Sequence, residues 1–419
     1  MAVEYPLLAP ESSNTARDRS YSLPRRLEMS AGKEIRVATL NMWCLPQPWP
    51  IGSKDRKHRL EKLAEKLLDE PYDIVGLQEI WGYDDFLHLA ARIESQYPYH
   101  HYFHSGFTGS GVCTFSRHKI VSTLTHRYSL NGFAHHIHRG DWFGGKVIGL
   151  CEIEIEEMRV NFYCTHLHAE TSQAFELSQF VRHTSRGTDF IVVVGDFNLE
   201  PEDLGLRLIL ANTRLLDAWR ISHQAASDGC HSLESCRGMG RGATCDRTDN
   251  CYTSRSHRAR DESKRIDYVL YKNGRMNVTL EECEISFNKI RGEEMNYSDH
   301  VGLHCRFKVQ PDQQRQISVI WEPCRPLLIE AVGVITGGQK RARTDRTVFI
   351  ITLVFLVLLI IISVCLDEPY PYLAWPLSIL RFLLTVIGVF CFYYGFIGLT
   401  LERKALKAAK QSIHQELND

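Results

Sequence analysis

Polar side chains stand at the ends of several apolar runs in this sequence. Asn41 closes the run IRVATLN, Glu79 closes DIVGLQE, and Asp196 and Asn198 close FIVVVGDFN. A strand with a purely structural role rarely ends so regularly in Asn, Asp or Glu. Such residues, gathered along one rim of a rigid scaffold, form a polar site. The pattern therefore predicts a functional site built on strand ends.

A second group of titratable residues has the composition of a proton-transfer pair. His166 lies late in RVNFYCTHL, Asp267 lies early in RIDYVLYK, and Asp299 and His300 directly precede VGLHC. A His paired with an Asp can act as a general base toward water, which is worth roughly 10²–10⁴-fold in rate. We expect His300 to be this base and Asp267 to orient it.

Glu79 has the chemistry of a ligand for a hard metal ion. Mg²⁺ prefers oxygen ligands and is often held by one or two carboxylates together with a substrate phosphate. We expect Glu79 to bind Mg²⁺, with Asn41 beside it and Asp299 as a further ligand. Mg²⁺ held in this way polarises a phosphoryl oxygen and stabilises a leaving alkoxide. Cys and His in tetrahedral spacing are absent here, which disfavours zinc.

The elements that must position these residues are short β-branched runs bounded by Gly, Asp or Pro. Such runs are typical of buried strands. Apolar residues that recur on one face predict two helices, at 57–70 and 171–184. Strands that alternate with helices and hairpins predict an α/β fold, a layered sandwich of two sheets. The predicted strands are 35–41, 73–79, 111–117, 146–155, 159–167, 190–198, 265–272 and 301–309.

Two uncharged apolar segments near the C-terminus, 347–366 and 382–401, each have the ~20 residues that a membrane-spanning helix needs. Their short separation, with Pro and aromatic residues, predicts a transmembrane hairpin. Basic residues flank both outer ends, whereas Asp367 and Glu368 lie in the turn. The positive-inside rule therefore places residues 1–346 in the cytosol. Arg381 counts against this orientation, although its side chain can reach the interface.

The remaining organisation follows from composition. We expect a disordered tail at 1–33, a catalytic domain at 34–310, a linker with an interfacial helix at 311–346, and a cytosolic tail at 402–419. The formal net charge of −1 gives no basic field for nucleic acid. Most cysteines are isolated in apolar runs, which favours a reducing compartment.

Two clusters suggest metal binding but have simpler interpretations. Cys230, Cys236, Cys245 and Cys251 lie in a Gly-rich insert at 229–260, with spacings unlike short zinc knuckles. A mobile loop with reduced thiols is favoured there over a four-Cys zinc site. The other cluster is interpreted as a loop near the substrate entrance. It contains His135, His136 and His138.

Six short motifs together resemble the endonuclease/exonuclease/phosphatase superfamily, which includes deoxyribonuclease I. The resemblance extends from about Ile35 to Val309 and implies a four-layer, deoxyribonuclease I-like α/β sandwich. The motifs are TLNMW at 39–43, LQEIW at 77–81, THLHAE at 165–170, GDFN at 195–198, RIDYVL at 265–270 and SDH at 298–300.

Further segments resemble the neutral sphingomyelinases. These are SGFTGSGVCTFSRH at 105–118, HRGDWFGGK at 138–146 and the apolar hairpin, which is similar to that of the animal type 1 group. The resemblance implies Mg²⁺-dependent hydrolysis of sphingomyelin in membranes to ceramide and phosphocholine. It also implies an intracellular membrane such as the endoplasmic reticulum.

The same resemblance implies further residue roles. Asp196 and Asn198 contact the scissile phosphate and position water, and His166 donates a hydrogen bond to the phosphate. Asp141 and Lys146 match the spacing of an Asp–Lys pair that helps to switch activity in that family.

Three other functions remain to be weighed. The nearest is a phospholipase C on lyso-phospholipids such as lyso-platelet-activating factor, which share the choline phosphate head. A nuclease or inositol phosphatase is disfavoured, because the chain lacks both a basic field and a Lys/Arg cluster near the motifs. A non-catalytic, membrane-tethered binding module is disfavoured by the intact set of polar strand-end residues.

Overall fold

The computed structural model describes residues 32–47, 52–132, 144–227, 242–260, 262–311 and 323–418. Within these ranges the chain forms two six-stranded sheets, helices that cover them, and long C-terminal helices. The strands are β1 (Lys33–Cys44), β2 (Ile74–Ile80), β3 (Tyr99–Tyr102), β4 (Cys113–Ser116), β5 (Lys119–Arg127), β6 (Val147–Ile155), β7 (Met158–His166), β8 (Phe190–Asp196), β9 (Leu216–Asp217), β10 (Asp267–Asn273), β11 (Met276–Ser286) and β12 (Gly302–Pro311).

Each sheet has one parallel pair of strands near its centre. The first sheet has the order β11-β12-β1-β2-β4-β3, and β1 runs parallel to β2. The second has the order β5-β6-β7-β8-β10-β9, and β7 runs parallel to β8. Parallel strands end at the same edge of a sheet. Asn41 and Glu79 therefore share one rim, and His166 and Asp196 share the corresponding rim of the second sheet.

Helices cover the outer faces of the two sheets. The helices are α1 (Arg56–Asp69), α2 (Tyr83–Ile93), α3 (Thr171–Thr184), α4 (Leu204–Thr213), α5 (Ala218–Ser227) and α6 (Arg255–Arg260). One apolar cluster lies between the sheets, a second includes α1 and α2, and a third includes α3 and α4. Strand β8 is buried along its whole length, as expected for a strand covered on both faces. The predicted four-layer α/β sandwich is confirmed.

The structure also contains strands that the sequence patterns missed. The eight predicted strands and both predicted helices are present, whereas β3, β5, β9 and β11 were not expected. Strand β5 lies at a sheet edge and most of its side chains are exposed, so it lacks a continuous apolar run. Strand β11 is also an edge strand and alternates Val278 and Leu280 with polar residues.

The C-terminal region is helical almost without interruption. Helix α7 (Arg325–Cys365) is followed by a 3₁₀ turn (Pro371–Leu373), α8 (Ala374–Phe392), a π-helical turn (Tyr393–Gly398) and α9 (Leu399–Asn418). Two helical stretches are long and apolar enough to cross a membrane. Arg381 donates hydrogen bonds to Asp367 and to the Ser363 carbonyl across the turn, which explains why this charge is tolerated beside an apolar segment.

This region differs from the predicted division into linker, hairpin and tail. Residues 325–346, placed in the linker, continue directly into the first apolar segment as one helix. Residues 402–418, placed in a tail, are helical as well. Most of the predicted disordered tail, and residues 312–322 of the linker, lie outside the described residues.

The parts of α7 and α9 outside the apolar segments, residues 325–346 and 402–418, form what we call the stalk. The stalk packs against α3 and α4 through a shared apolar cluster that includes Phe175, Leu328 and Ile413. Glu416 of the stalk also accepts hydrogen bonds from Gln179 and Arg182 of α3. The catalytic domain is therefore docked on the stalk.

We predict that Ile413→Asp loosens this docking. Ile413 is fully buried. Loss of such a side chain costs about 2–5 kcal/mol, and an unpaired buried charge adds to that cost. Amide hydrogen exchange of residues 325–340 should therefore accelerate more than about tenfold. Gln411→Asp, at an exposed position of the same helix, is the control. Equal exchange rates in the two variants would contradict a docked stalk.

Candidate active site

The Asn41 side chain joins the two sheets at the predicted rim. Its Nδ2 donates to Glu79 Oε1 at 3.0 Å, on the same sheet, and to Asp196 Oδ2 at 2.9 Å, on the other sheet. Its Oδ1 accepts the backbone N–H of Trp43 at 3.0 Å. Because both carboxylates need donors, these contacts fix which end of the amide carries nitrogen.

Glu79 is held in an uncommon backbone conformation. Its φ of 59° lies in the left-handed region, which a non-glycine residue enters at a cost of about 1–3 kcal/mol. Trp43 and Asn198 also have positive φ, at 46° and 49°. The indole Nε1 of Trp81 lies 3.4 Å from Glu79 Oε2 and donates to it. Three of the eight described non-glycine residues with positive φ therefore lie at this rim, where the backbone directs side chains differently from a regular strand.

Gly195 lets the two parallel strands of the second sheet approach each other at the rim. Its φ is 139°, and a Cβ at this position would lie 1.9 Å from the Thr165 carbonyl oxygen. Only glycine fits that approach. The neighbouring pair, His166 opposite Asp196, is set in register by this contact.

His166 lies between two donors that come from other parts of the chain. The Lys146 ammonium is fully buried and lies 2.8 Å from His166 Nε2, and it also donates to the Leu167 carbonyl at 3.0 Å. Asn198 Nδ2 lies 3.2 Å from the same His166 nitrogen. The same nitrogen also lies 3.4 Å from the acceptor Asp196 Oδ2. The predicted role of His166 as a donor to phosphate stays a prediction.

Asp196 is an almost fully buried carboxylate of the rim. It is 2% exposed, and the backbone N–H of Asn198 donates to its Oδ1 at 2.8 Å. Burial, with the nearby Asp267 carboxylate as a second cause, raises the pKa of Asp196 to about 6. A carboxylate in this position favours a nearby positive charge.

Asp267 and His300 form the predicted pair. His300 Nδ1 lies 2.8 Å from Asp267 Oδ2, which leaves Nε2 directed toward Asp196 Oδ2 at 3.9 Å. The sequence analysis missed Thr244, whose Oγ1 accepts the Asp267 backbone N–H at 3.2 Å and whose carbonyl accepts the Val301 N–H at 2.8 Å. Thr244 thus ties together the strands that carry the pair.

Cys245 is a further neighbour of His300 that the sequence analysis did not place at the site. It pairs with His300 through an isolated β-bridge, and its thiol faces the imidazole. Burial lowers the pKa of His300, but contacts with Cys245 and Asp267 outweigh it and hold that pKa well above its usual value. Because burial raises the pKa of the Cys245 thiol itself, this thiol is neutral near pH 7. Asp267 is therefore the lasting negative partner.

Two groups of described side chains bring three ligand atoms within 4.8 Å of one another. One contains Glu79, His166 and Asp196, and the other contains Asp196, Asp267 and His300. The first group offers two carboxylates and one imidazole, and Glu79 retains some exposure. Asn41 directs its NH2 group rather than its oxygen toward these carboxylates, so its role as a metal ligand stays a prediction. The two carboxylates fit Mg²⁺.

The other predicted residues lie either outside the two ligand groups or outside the described residues. Asp299 belongs to neither group of described side chains; it accepts the Ser298 hydroxyl at 3.1 Å, and burial raises its pKa. Its role as a ligand stays a prediction. Asp141, the three loop histidines, Cys230 and Cys236 lie outside the described residues. Cys251 accepts the Asn296 N–H rather than sharing a partner with Cys245.

Arg59 holds the backbone that follows Asn41 at the rim, and the sequence analysis did not identify it. It is fully buried and donates to the carbonyls of Met42, Trp43 and Tyr297 at 2.5, 2.7 and 2.9 Å. Its guanidinium lies 5.2 Å from the Trp43 ring centroid. The sequence signal was a lone charge on the apolar face of the 57–70 helix.

Comparisons with known proteins agree with this geometry. The sequence profile described as "Endonuclease/Exonuclease/phosphatase family" matches residues 38–300. A "Putative neutral sphingomyelinase" of Caenorhabditis elegans is 59% identical over 418 residues, which cover 96% of this chain and 95% of that protein. "Sphingomyelin phosphodiesterase 2" of Mus musculus is 34% identical over 314 residues, 71% and 70% of the two chains. "Inositol phosphosphingolipids phospholipase C" of Schizosaccharomyces pombe is 26% identical over 406 residues, 90% and 92% of the two chains.

Two solved structures are among the matches. Sphingomyelinase C from Streptomyces griseocarneus has a TM-score of 0.45 at 16% identity, covering 67% of this chain and 100% of that one. An endonuclease/exonuclease/phosphatase family protein from Leptotrichia buccalis has a TM-score of 0.46 at 16% identity, covering 65% and 99%.

We predict that Asp267→Asn lowers the pKa of His300. Asp267 stabilises the imidazolium, so removal of its charge leaves burial, which favours the neutral ring, as the stronger influence. Titration of the His300 ring by NMR in the metal-free protein should show the proton leaving at a lower pH. An unchanged His300 titration would mean that another group provides the charge. Asp249→Asn, at an ion pair on the surface, is the control.

Proposed function

The chain belongs to the endonuclease/exonuclease/phosphatase family of hydrolases, and on that premise we propose that it is a Mg²⁺-dependent neutral sphingomyelinase. The reaction is hydrolysis of sphingomyelin to ceramide and phosphocholine. Water adds its oxygen to phosphorus, the bond from phosphorus to the ceramide oxygen breaks, and ceramide leaves with a proton. The observation that carries the reaction is the set of carboxylates, amides and His300 joined through Asn41. The names of the relatives support the substrate.

His300 is proposed to take the proton from water in its neutral form, and a cation bound beside Asp196 would favour that form by lowering the pKa of the ring. Its Nδ1 is engaged by Asp267, so Nε2 is the nitrogen that faces the rim. Asp267 fixes the ring and stabilises the positive charge that forms on it, the usual arrangement of a general base and its orienting carboxylate. Asp196, held by Asn41 and Asn198, positions the water.

The phosphate is proposed to lie beside Lys146, His166 and Asn198. Lys146 Nζ and Asn198 Nδ2 lie 2.8 and 3.2 Å from His166 Nε2. A phosphate oxygen that enters would replace these contacts with hydrogen bonds to itself. Charge-assisted contacts of this kind are about twice as strong as neutral ones. Glu79 would hold Mg²⁺, with Asn41 beside it, and the bound ion would stabilise negative charge on the phosphate and on the leaving oxygen.

We predict that the purified full-length chain hydrolyses sphingomyelin in detergent micelles only when Mg²⁺ is present. Glu79→Gln should lose at least about 10²-fold in turnover, because a hard-ion site with few protein ligands loses an anionic oxygen. Glu94→Gln, at an exposed helix end, is the matched control.

The same micelles should be tested with other lipids. Faster hydrolysis of a lyso-phospholipid, or of an inositol phosphosphingolipid, would move the assignment to a related phospholipase C. Cleavage of plasmid DNA in preference to every lipid would refute the lipid assignment. Full activity of Glu79→Gln with unchanged Mg²⁺ dependence would refute the metal site.

We also propose that the hairpin spans an intracellular membrane, such as that of the endoplasmic reticulum, with the catalytic domain in the cytosol. Basic residues flank the two apolar segments on the side of the stalk, and acidic residues lie in the turn. Protease added to sealed microsomes should therefore digest the large domain. Its protection until detergent is added would reverse the orientation.

A further inference from the structure

A cavity of about 120 Å³ lies where the catalytic domain meets the stalk, and we call it the junction cavity. Glu170 and Ser172 line it from the start of α3, Arg341 and Asp345 line it from α7, and Glu402 lines it from α9. Its lining residues belong to neither of the two groups of possible ligands in the active site. The proposed function assigns it no role.

The junction cavity lies near both the active site and the proposed membrane surface. Glu170 follows His166 by four residues, a length of chain that spans at most about 14 Å. Asp345 lies two residues before the first apolar segment, and Glu402 directly follows the second. If these segments span the bilayer, the cavity is at the depth of the lipid head groups.

Acidic side chains outnumber basic ones in the lining of the cavity. Three carboxylates and one guanidinium line it. Burial, and then the charges of Glu170 and Asp345, raise the pKa of Glu402, beyond the end of the apolar segment, to about 7, whereas the charge of Arg341 lowers it. A cation that enters the cavity would be attracted by these carboxylates.

A buried hydroxyl group in the same cavity has no partner within the described part of the chain. Ser172 is 6% exposed, and its Oγ contacts no other polar atom there. A buried hydroxyl left in this way costs about 1–3 kcal/mol. A ligand with an acceptor oxygen removes that cost. The cavity therefore suits a ligand that carries both a positive group and an acceptor.

The spacing of the carboxylates disfavours a bare metal ion. Among the described residues, three ligand atoms lie within 4.8 Å of one another only in the two groups at the rim, and neither includes the residues of this cavity. An organic cation is larger. A cavity of about 150 Å³ accepts a benzene molecule, so about 120 Å³ suits one quaternary ammonium group.

We propose that the junction cavity binds the quaternary ammonium group of a phosphocholine lipid, with the lipid phosphate at the edge of the cavity. The three carboxylates surround the quaternary ammonium, Val334, Ile335 and Leu406 contact its methyl groups, and Arg341 and Ser172 face the phosphate. The inference rests on the proposed function for the lipid class. The cavity captures choline lipid at the bilayer surface, beside the segment that joins His166 to Glu170. This capture raises the local concentration of substrate without adding to the chemical step.

The binding test uses tetramethylammonium chloride on the full-length chain in a detergent without choline, against sodium chloride at equal ionic strength. Tetramethylammonium should raise the unfolding midpoint of the wild type and of catalytically disabled Glu79→Gln, because a ligand that binds only the folded state stabilises it. Glu402→Gln and Asp345→Asn should lose this shift. Glu330→Gln, half-exposed on α7 outside the cavity, should keep it.

The kinetic test uses sphingomyelin at varied mole fraction in vesicles. Glu402→Gln and Asp345→Asn should raise the surface KM roughly fivefold, as expected for loss of a partly exposed charge contact, and leave kcat within about twofold. A fall in kcat with unchanged KM would overturn a capture role.

The outcomes separate this inference from the proposed function. Sphingomyelin hydrolysis by the wild type without any tetramethylammonium shift would refute the cavity and leave the function. A shift that depends on Glu402, in a chain that hydrolyses no sphingomyelin, would refute the function and leave the cation site. A shift that survives both cavity substitutions would place the cation elsewhere and refute the inference.

Discussion

The site depends on one neutral amide between two carboxylates. Asn41 donates one N–H to Glu79 and one to Asp196, and these residues come from different sheets. Carboxylates so close together repel each other, and in a buried site that repulsion is only weakly screened. The amide supplies donors but no charge, so the rim stays rich in acceptors and favours a cation. The parallel pairs at the sheet centres, Gly195 and the positive φ angles at Glu79 and Asn198 all serve to bring these groups together.

Most of this rim could be predicted because strand ends are marked in the sequence. The sequence analysis grouped Asn41, Glu79 and Asp196 because each stands at a strand end. The parallel pairs in the structure explain why these ends share one edge. The pairing of Asp267 with His300 followed from residue types. Thr244 and Cys245 were missed for a physical reason. They act through backbone contacts and an isolated bridge in a Gly-rich insert, where neither periodicity nor composition marks a position.

The structure of the stalk could also be predicted only in part from the sequence. Residues 311–346 were interpreted as a linker with an interfacial helix. The structure gives one helix from Arg325 that continues into the first apolar segment, and its Leu328, Ala331 and Ile335 lie in an apolar cluster shared with α4 and α9. That surface could not be predicted without knowing that residues about seventy positions later return to cover it.

Helix α7 also has a mechanical consequence. It runs for 41 residues, about 60 Å, with one part in the docked stalk and the other in the apolar segment. A rod of this kind is a lever arm: a 10° change of its tilt moves a point 22 residues away by about 6 Å. Apolar helices adjust their tilt to the thickness of the surrounding bilayer. If the apolar segments span a bilayer as proposed, a change in the thickness of that bilayer would therefore change the height of the active site above the lipids.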